Sequence, residues 1–396
     1  MNNRLVITNY KERIISILYE NDKAVQINTQ SREENSILNN IYIGKVKNII
    51  NNIEAAFVEI ENGIMCYFSL KDEKNIIYLN KQNQKKICIG DEILVQVIKE
   101  AVNKKAPVVT GYINITGKYT VLTHGKLSIS VSNKIHNEKE VQRLKGIISK
   151  YKNNDFGIIA RTNSFECEDD LIEEEIHNLQ KIYYDIIGKA KFLVPFSKVY
   201  TSPLGYICDI RDSYSRNIEK IVTDDVHIYE NIRDYLEYFQ KDELSKLELY
   251  KDEMISLNAL YNINSSVAEA LKEKVWLKSG GTIVIQPTEA LVAIDVNTSK
   301  AIVGKSDASK AFLKTNLEAA HEIARQLRLR NLSGIIIVDF IDLKKEEDKR
   351  YLLNEFDKIL RLDPIKTTVV DMTGLNLVEV TRKKTRKPLY QQLKSD

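Results

Sequence analysis

Cysteine is scarce in this 396-residue chain, with four in all. Cys66, Cys88, Cys167 and Cys208 stand far apart, without a CxxC pair, which argues against a zinc site or a secreted disulfide framework. The expected compartment is therefore the reducing cytoplasm. Five histidines are equally scattered, so no His-based metal centre is expected. No apolar run is long enough to span a bilayer, and the N-terminus MNNRLVITNYKERII lacks the charged-then-apolar layout of a signal peptide. An excess of one charge is missing too: charged residues make up 29% of the chain, yet the net charge is +3. Any nucleic-acid contact must then come from local basic patches. The length leaves room for several domains and a sizeable core.

What the chain does have is a stretch, 282–342, in which acids recur at strand ends. TIVIQPTEALVAIDVN opens it, LSGIIIVDFIDL closes it, and a charged helix joins the two. Side chains alternate faces along an extended strand. Ala290, Val292, Ile294 and Val296 therefore point one way, while Ala293, Asp295 and Asn297 point the other. The second apolar run, Ile335 to Val338, ends on Asp339, with Asp342 just beyond it. Two carboxylates at the ends of two buried strands are costly to desolvate unless a cation lies between them. Mg2+ is the simplest such ion, since it takes oxygen ligands and is commonly held by one or two carboxylates plus substrate phosphate oxygens. Asp295 and Asp339 would supply the carboxylates, and Asn297 a neutral oxygen or a hydrogen bond to water or phosphate. The plainer alternative is that each Asp caps a helix or starts a turn. Their pairing at matching strand ends, with Asn297 on the same face, favours the metal.

TEALVAIDVN, followed by TNLEAAHEIARQLRLRNLSGIIIVDFIDL, resembles the catalytic part of the ribonuclease E/G endoribonucleases almost position by position. The resemblance implies that Asp295 and Asp339 are magnesium ligands and that Asn297 orients the scissile phosphate or its attacking water. Asp342 would be an acid one step further from the ion. It also implies an α/β multidomain fold. An OB-type S1 barrel (31–111) and a 5'-phosphate sensor subdomain (112–207) would be inserted into a discontinuous RNase H-like subdomain (1–30 with 208–271). A DNase I-like α/β catalytic subdomain (272–396) would follow.

Taken in order, RLVITNY and RIISILYEN read as two short strands followed by a polar stretch. They are too little to fold alone and should dock on a later segment. Between 38 and 111, NIYIGKVKNII, IEAAFVEI, MCYFSL and DEILVQVIKE are short strands separated by Gly, Asn and Asp turns, which suggests a small barrel. Exposed aromatics on such barrels stack on bases. By resemblance Phe57 and Phe68 are the stacking aromatics, with Tyr67 an alternative, and Lys105 is a basic residue near the substrate. Both Phe residues suit a barrel core equally well.

FGIIARTNSFECEDD reads as a strand ending at Arg161-Thr162 before an acidic helix. By resemblance Arg161 and Thr162, with backbone positions Gly117 and Val121, form a pocket for the 5'-monophosphate of an RNA. Asn133, with Lys134 beside it, stands where the family has a further arginine, a departure that argues against strong 5'-end dependence. An ion pair from Arg161 to the acids of 166–170 is the plainer alternative. Asp224 and Asp225 read as a turn rather than a metal pair. TNLEAAHEIARQLRLRN is an amphipathic helix with Leu317, Ala320, Ala324 and Leu327 on one face. Its Arg325 and Arg328 form either a solvated face, with Glu322 paired to Arg325, or a stripe facing phosphates.

The expected protein is a Mg2+-dependent endoribonuclease acting on single-stranded RNA. By resemblance the RNA is A/U-rich, the ends are 5'-phosphate and 3'-hydroxyl, and the setting is rRNA processing or mRNA decay. Two alternatives are a catalytically inactive RNA-binding protein and a phosphoesterase of small esters. The family's CPxCxG-type zinc link does not occur in this sequence. No structural zinc or zinc-linked tetramer is expected, and a monomer or homodimer is.

Overall fold

Contacts divide the chain into two units, Met1–Arg32 with Ser215–Asp396, and Glu33–Tyr214. The computed structural model describes residues 3–32, 36–81, 86–101, 105–213, 218–298 and 308–394.

In the second unit, five strands close on themselves. Ile41–Ile50, Ala55–Glu59, Met65–Ser69, Val108–Thr110 and Glu92–Lys99 pair in that order, and the last returns to the first. A closed five-stranded barrel is consistent with an OB-type domain. Its interior is filled by Val46, Val58, Phe68, Ile93, Val95 and Val109. Closure forces the first strand close to both neighbours at Gly44, where a Cβ would collide with Val58 and crowd Val95. Glycine is needed there for the approach. A second sheet of the same unit orders Asn114–Thr116, Thr120–His124, Phe156–Ala160 and Ile129–Val131. Helices Glu138–Ser149 and Asp169–Ala190 pack on it through Leu144, Ile148, Ile172, Ile176 and Leu179.

In the first unit, the N-terminal strands find their partner late in the chain. Asn3–Tyr10 pairs in parallel with Ile218–Thr223, which in turn pairs in parallel with Leu247–Leu249. The polar stretch after Glu20 is a third strand, Lys23–Ser31, which corrects the sequence expectation of two. Asn21 and Asp22, both at positive φ, make the two-residue turn into it, the geometry that suits hairpin twist. Asp224 and Asp225, expected as a turn, link the strand Ile218–Thr223 to the next helix. Thr8 and Asn9 donate to them, and Asp225 caps the helix Val226–Phe239 by accepting from the His227 and Ile228 amides.

The remaining sheet of this unit has six strands, ordered Lys274–Trp276, Thr282–Pro287, Leu291–Asn297, Gly334–Asp339, Leu377–Arg382 and Thr367–Met372. Only its two central strands, Leu291–Asn297 and Gly334–Asp339, run parallel. A parallel pair needs a crossover, and the helix Ala308–Leu329 lies in that connection. This helix and Glu346–Arg361 cover one face, burying Val292, Ile294, Val296, Ile336 and Val338 against Ala320, Ile323, Leu327, Leu352 and Phe356. Side chains on the opposite face, including Ile335 and Val370, are exposed. No described helix is long and apolar enough to cross a membrane.

Candidate active site

The alternation read from the sequence holds along Leu291–Asn297: Val292, Ile294 and Val296 are buried, while Asp295 and Asn297 are exposed. On the parallel neighbour, Asp339 is the direct register partner of Asp295. Register partners on adjacent strands lie about 4.8 Å apart and share a face. The two carboxylates therefore stand side by side at the carboxyl ends of the two parallel strands, the place where open α/β sheets bind ligands.

Both acids are exposed, so the full desolvation supposed from the sequence does not occur. The cost here is mutual repulsion. Partial burial of its carboxyl, then the charges of Asp295 and Asp342, push the Asp339 pKa up, as like charges disfavour ionisation. Asn297 offsets some of this by donating Nδ2–H to Asp295 Oδ2 at 2.5 Å. An ionised carboxylate only accepts, so the amide nitrogen must face it. Asp342 accepts from Asn376 Nδ2 at 3.2 Å, and Asn376 Oδ1 accepts from Lys349 Nζ at 3.1 Å. This link to Asn376 and Lys349 was not read from the sequence, because both residues lie far along the chain.

Among the described residues no group of three or more His, Cys, Asp or Glu side chains forms a metal cluster. What the sheet offers is two carboxylates and an amide. That donor set fits Mg2+, which needs only one or two carboxylates when phosphate oxygens and water complete its shell.

The residues matched to the phosphate pocket also converge, at one end of the four-stranded sheet. Arg161 follows the strand Phe156–Ala160, and its amide donates to Tyr119 O at 2.7 Å. Thr162 Oγ1 lies 3.0 Å from Ser132 Oγ, and Val121 pairs with Ile159 one position into the sheet. Gly117 opens the turn into the strand Thr120–His124. Beneath that turn lies the buried Glu175 carboxylate, which accepts from the amides of Lys118 (2.6 Å), Tyr119 (2.9 Å) and Thr120 (2.7 Å). Burial raises the Glu175 pKa, and these bonds act against the rise. A Cβ at position 117 would strike that carboxylate, so glycine is required for the turn to sit over it.

Arg161 does not pair with the acids of 166–170. Its Nη1 donates to the Gly117 carbonyl, and its Nη2 donates to Asp212 Oδ1 at 2.7 Å. Arg211 grips the same carboxylate through Nε at 3.0 Å and Nη2 at 2.9 Å. Burial alone would raise the Asp212 pKa, but the two guanidiniums outweigh it and hold the group down at about 2. Arg211 and Asp212 lie about fifty positions after Arg161, too far for spacing to reveal them.

On the barrel, Phe57 and Tyr67 are register partners on adjacent strands. Their half-buried rings meet edge to face, with centroids 6.4 Å apart. Phe68 points the other way and is 0% exposed. The expectation that Phe68 stacks on bases is therefore corrected: its ring fills the barrel, and Tyr67 presents the outward aromatic. Lys105 is exposed, two residues before Pro107, whose carbonyl accepts the Tyr67 amide. It therefore lies near the aromatic pair.

Arg325 and Arg328 form no phosphate-facing stripe. Arg325 is held by Glu322 and the Ala24 carbonyl, and Arg328 by Glu20 at 3.2 Å. They fasten the helix Ala308–Leu329 to the N-terminal strands.

Residues 114–385 match the model of the Ribonuclease E/G family. Ribonuclease E of Synechocystis sp. is 34% identical over 89% of this chain and 53% of its own length. Ribonuclease G of Salmonella typhimurium is 31% identical over 91% of this chain and 76% of its own. Ribonuclease G of Escherichia coli (strain K12) is 30% identical over 92% and 76%. The chain thus spans about half the length of the former and three quarters of the latter two. A family match across most of the chain, with relatives at these identities, shows that this protein belongs to the ribonuclease E/G family.

Proposed function

We propose that this protein is a Mg2+-dependent endoribonuclease that cuts within single-stranded RNA, preferring A/U-rich segments and leaving 5'-phosphate and 3'-hydroxyl ends, in rRNA processing or mRNA decay. The observation that carries the proposal is the register pairing of Asp295 with Asp339 at the carboxyl ends of two parallel strands. Family membership supports the reaction class.

The six-stranded sheet with its two helices is the DNase I-like catalytic subdomain, and the discontinuous five-stranded sheet is the RNase H-like part. The closed barrel is an S1 domain, and the four-stranded sheet with its helices is the 5'-phosphate sensor. The protein acts in the cytoplasm as a monomer or homodimer.

Asp295 and Asp339 would hold Mg2+, which when bound lowers the pKa of water and offsets charge developing on phosphate. Asn297 fixes the Asp295 carboxylate through its amide N–H and leaves its carbonyl oxygen to orient the attacking water. Asp342, steadied by Asn376, adds negative charge behind Asp339. Phe57 and Tyr67 stack on unpaired bases while Lys105 holds the backbone, a division of labour usual for single strands.

The direct test is a labelled A/U-rich oligonucleotide incubated with the purified chain, with and without magnesium. Internal cuts that need the metal and bear 5'-phosphate ends support the proposal. Strand binding without any metal-dependent product would leave the inactive RNA-binding alternative standing.

The two aromatic positions make separate predictions. Tyr67→Ala should weaken single-strand binding about 5- to 150-fold, the worth of one stacked base, with the thermal midpoint little changed. Phe68→Ala should do the reverse, costing about 3–5 kcal/mol of stability through the cavity left in the barrel. Anisotropy titration and denaturant melts check the pair. A Phe68→Ala protein that melts normally but binds poorly would return Phe68 to the RNA surface.

A further inference from the structure

We infer that the Asp212 carboxylate is an internal competitor for the phosphate that the Arg161 pocket receives, and so sets how strongly a strand's 5'-end is read. This rests on the proposed identity of that pocket as a 5'-phosphate site.

Asp212 ends the helix Gly205–Asp212 and lies against the guanidinium that the pocket needs. Its Oδ1 takes Arg161 Nη2 at 2.7 Å and Arg211 Nε at 3.0 Å, while Oδ2 takes Arg211 Nη2 at 2.9 Å. The side chain of Asp212 is 37% exposed, against 24% for Arg161 and 11% for Arg211. Asp212 is thus the most exposed of the three side chains. The turn amides cannot take an arriving anion, since those of Lys118, Tyr119 and Thr120 face inward to Glu175. The positive charge for recognition comes from the guanidiniums, and Asp212 pairs with both.

A terminal phosphate is the better partner for an arginine fork, with three acceptor oxygens and a charge of about −1.5 to −2. Asp212 has the advantage of being tethered. It competes at a high effective concentration and loses no translational freedom on docking. Only the fraction of molecules with the carboxylate displaced is ready for phosphate, and apparent affinity falls by that fraction. Arg211 becomes a second cation for the phosphate once Asp212 has moved. It stands in the pocket although neither Asn133 nor Lys134 supplies the arginine that the family resemblance implies there.

The test is anisotropy binding of one oligonucleotide with either a 5'-monophosphate or a 5'-hydroxyl, in EDTA to prevent cleavage. The full chain is compared with Asp212→Asn and Arg161→Gln. Asp212→Asn should raise the ratio of 5'-phosphate to 5'-hydroxyl affinity about tenfold, and Arg161→Gln should bring it to one. A raised ratio in Asp212→Asn supports the inference even where the unaltered chain shows no preference. If Asp212→Asn lowers the ratio as Arg161→Gln does, Asp212 merely positions Arg161. In that case, or if it leaves an existing preference unchanged, the inference falls and the pocket assignment survives. A ratio of one in all three proteins overturns both. Should Asp212→Asn fail to fold, Asp212→Ser replaces it with the same outcomes.

Discussion

Asp295→Asn and Asp339→Asn, made singly, should each reduce RNA cleavage by about three powers of ten while leaving strand binding intact or slightly tighter. Each exchange removes one negative oxygen from a two-carboxylate site, and metal-borne stabilisation of phosphate charge is worth several kcal/mol, near 1.4 for each tenfold in rate. The shape is almost unchanged, and both side chains lie on the exposed face of the sheet, so the fold should tolerate them. Loss of a carboxylate also relieves repulsion toward Asp342 and toward the RNA backbone. Single-turnover cleavage at saturating protein, with and without excess Mg2+, reads the first effect, and filter binding reads the second. Cleavage within threefold of the unaltered chain in either variant would remove the metal site from this sheet end.

Asp363→Ala should destabilise the first unit by about 3–5 kcal/mol, the cost of leaving a buried charge without its partner. Arg382 and Asp363 are 2% and 4% exposed at the side chain, and they form a two-pronged pair at 2.7 and 3.3 Å. Arg382 Nη1 donates to Asn331 Oδ1 at 3.1 Å and to Leu332 O at 3.0 Å. The pair joins the end of the helix Glu346–Arg361 to the strand Leu377–Arg382, whose Arg382 faces Gly334 in register. Removing the exposed partner in Lys220–Glu248 should have no measurable effect, because solvent screens that pair. Urea melts followed by circular dichroism compare the two. Equal, small shifts would show that the buried pair contributes no more than a surface one.

The acidic pair was legible because the chemistry lay in two contiguous strands. Period-two alternation set the faces of Asp295 and Asn297, and an apolar run ending on Asp339 set the depth of its neighbour. Register across the pair was not in the sequence itself but followed from two apolar runs of similar length buried under one helical layer. Tyr67 and Phe68 show the limit of the same logic. They are adjacent, a one-residue slip exchanges their faces, and only pairing with Ala55–Glu59 decides between them. The strand Lys23–Ser31 was missed because Lys23, Gln26, Asn28 and Gln30 gave it a polar look, although Ala24, Val25 and Ile27 are buried. Arg211 and Asp212 were invisible for another reason: a helix end brings them to Arg161 from far along the chain.

The parallel pairing of Asn3–Tyr10 with Ile218–Thr223 has a consequence for biosynthesis. The first thirty residues leave the ribosome long before the strand that completes their sheet has been translated. At about 5–20 residues per second, that wait lasts on the order of ten seconds or more. Throughout it, a three-stranded ribbon bearing Val6, Ile15, Ile17 and Ile27 remains without its later partner. The intervening barrel and sheet belong to the other unit and can fold meanwhile. A nascent-chain chaperone should therefore associate most strongly with ribosomes stalled before residue 218 and much less once Leu389, which closes the same core, has emerged.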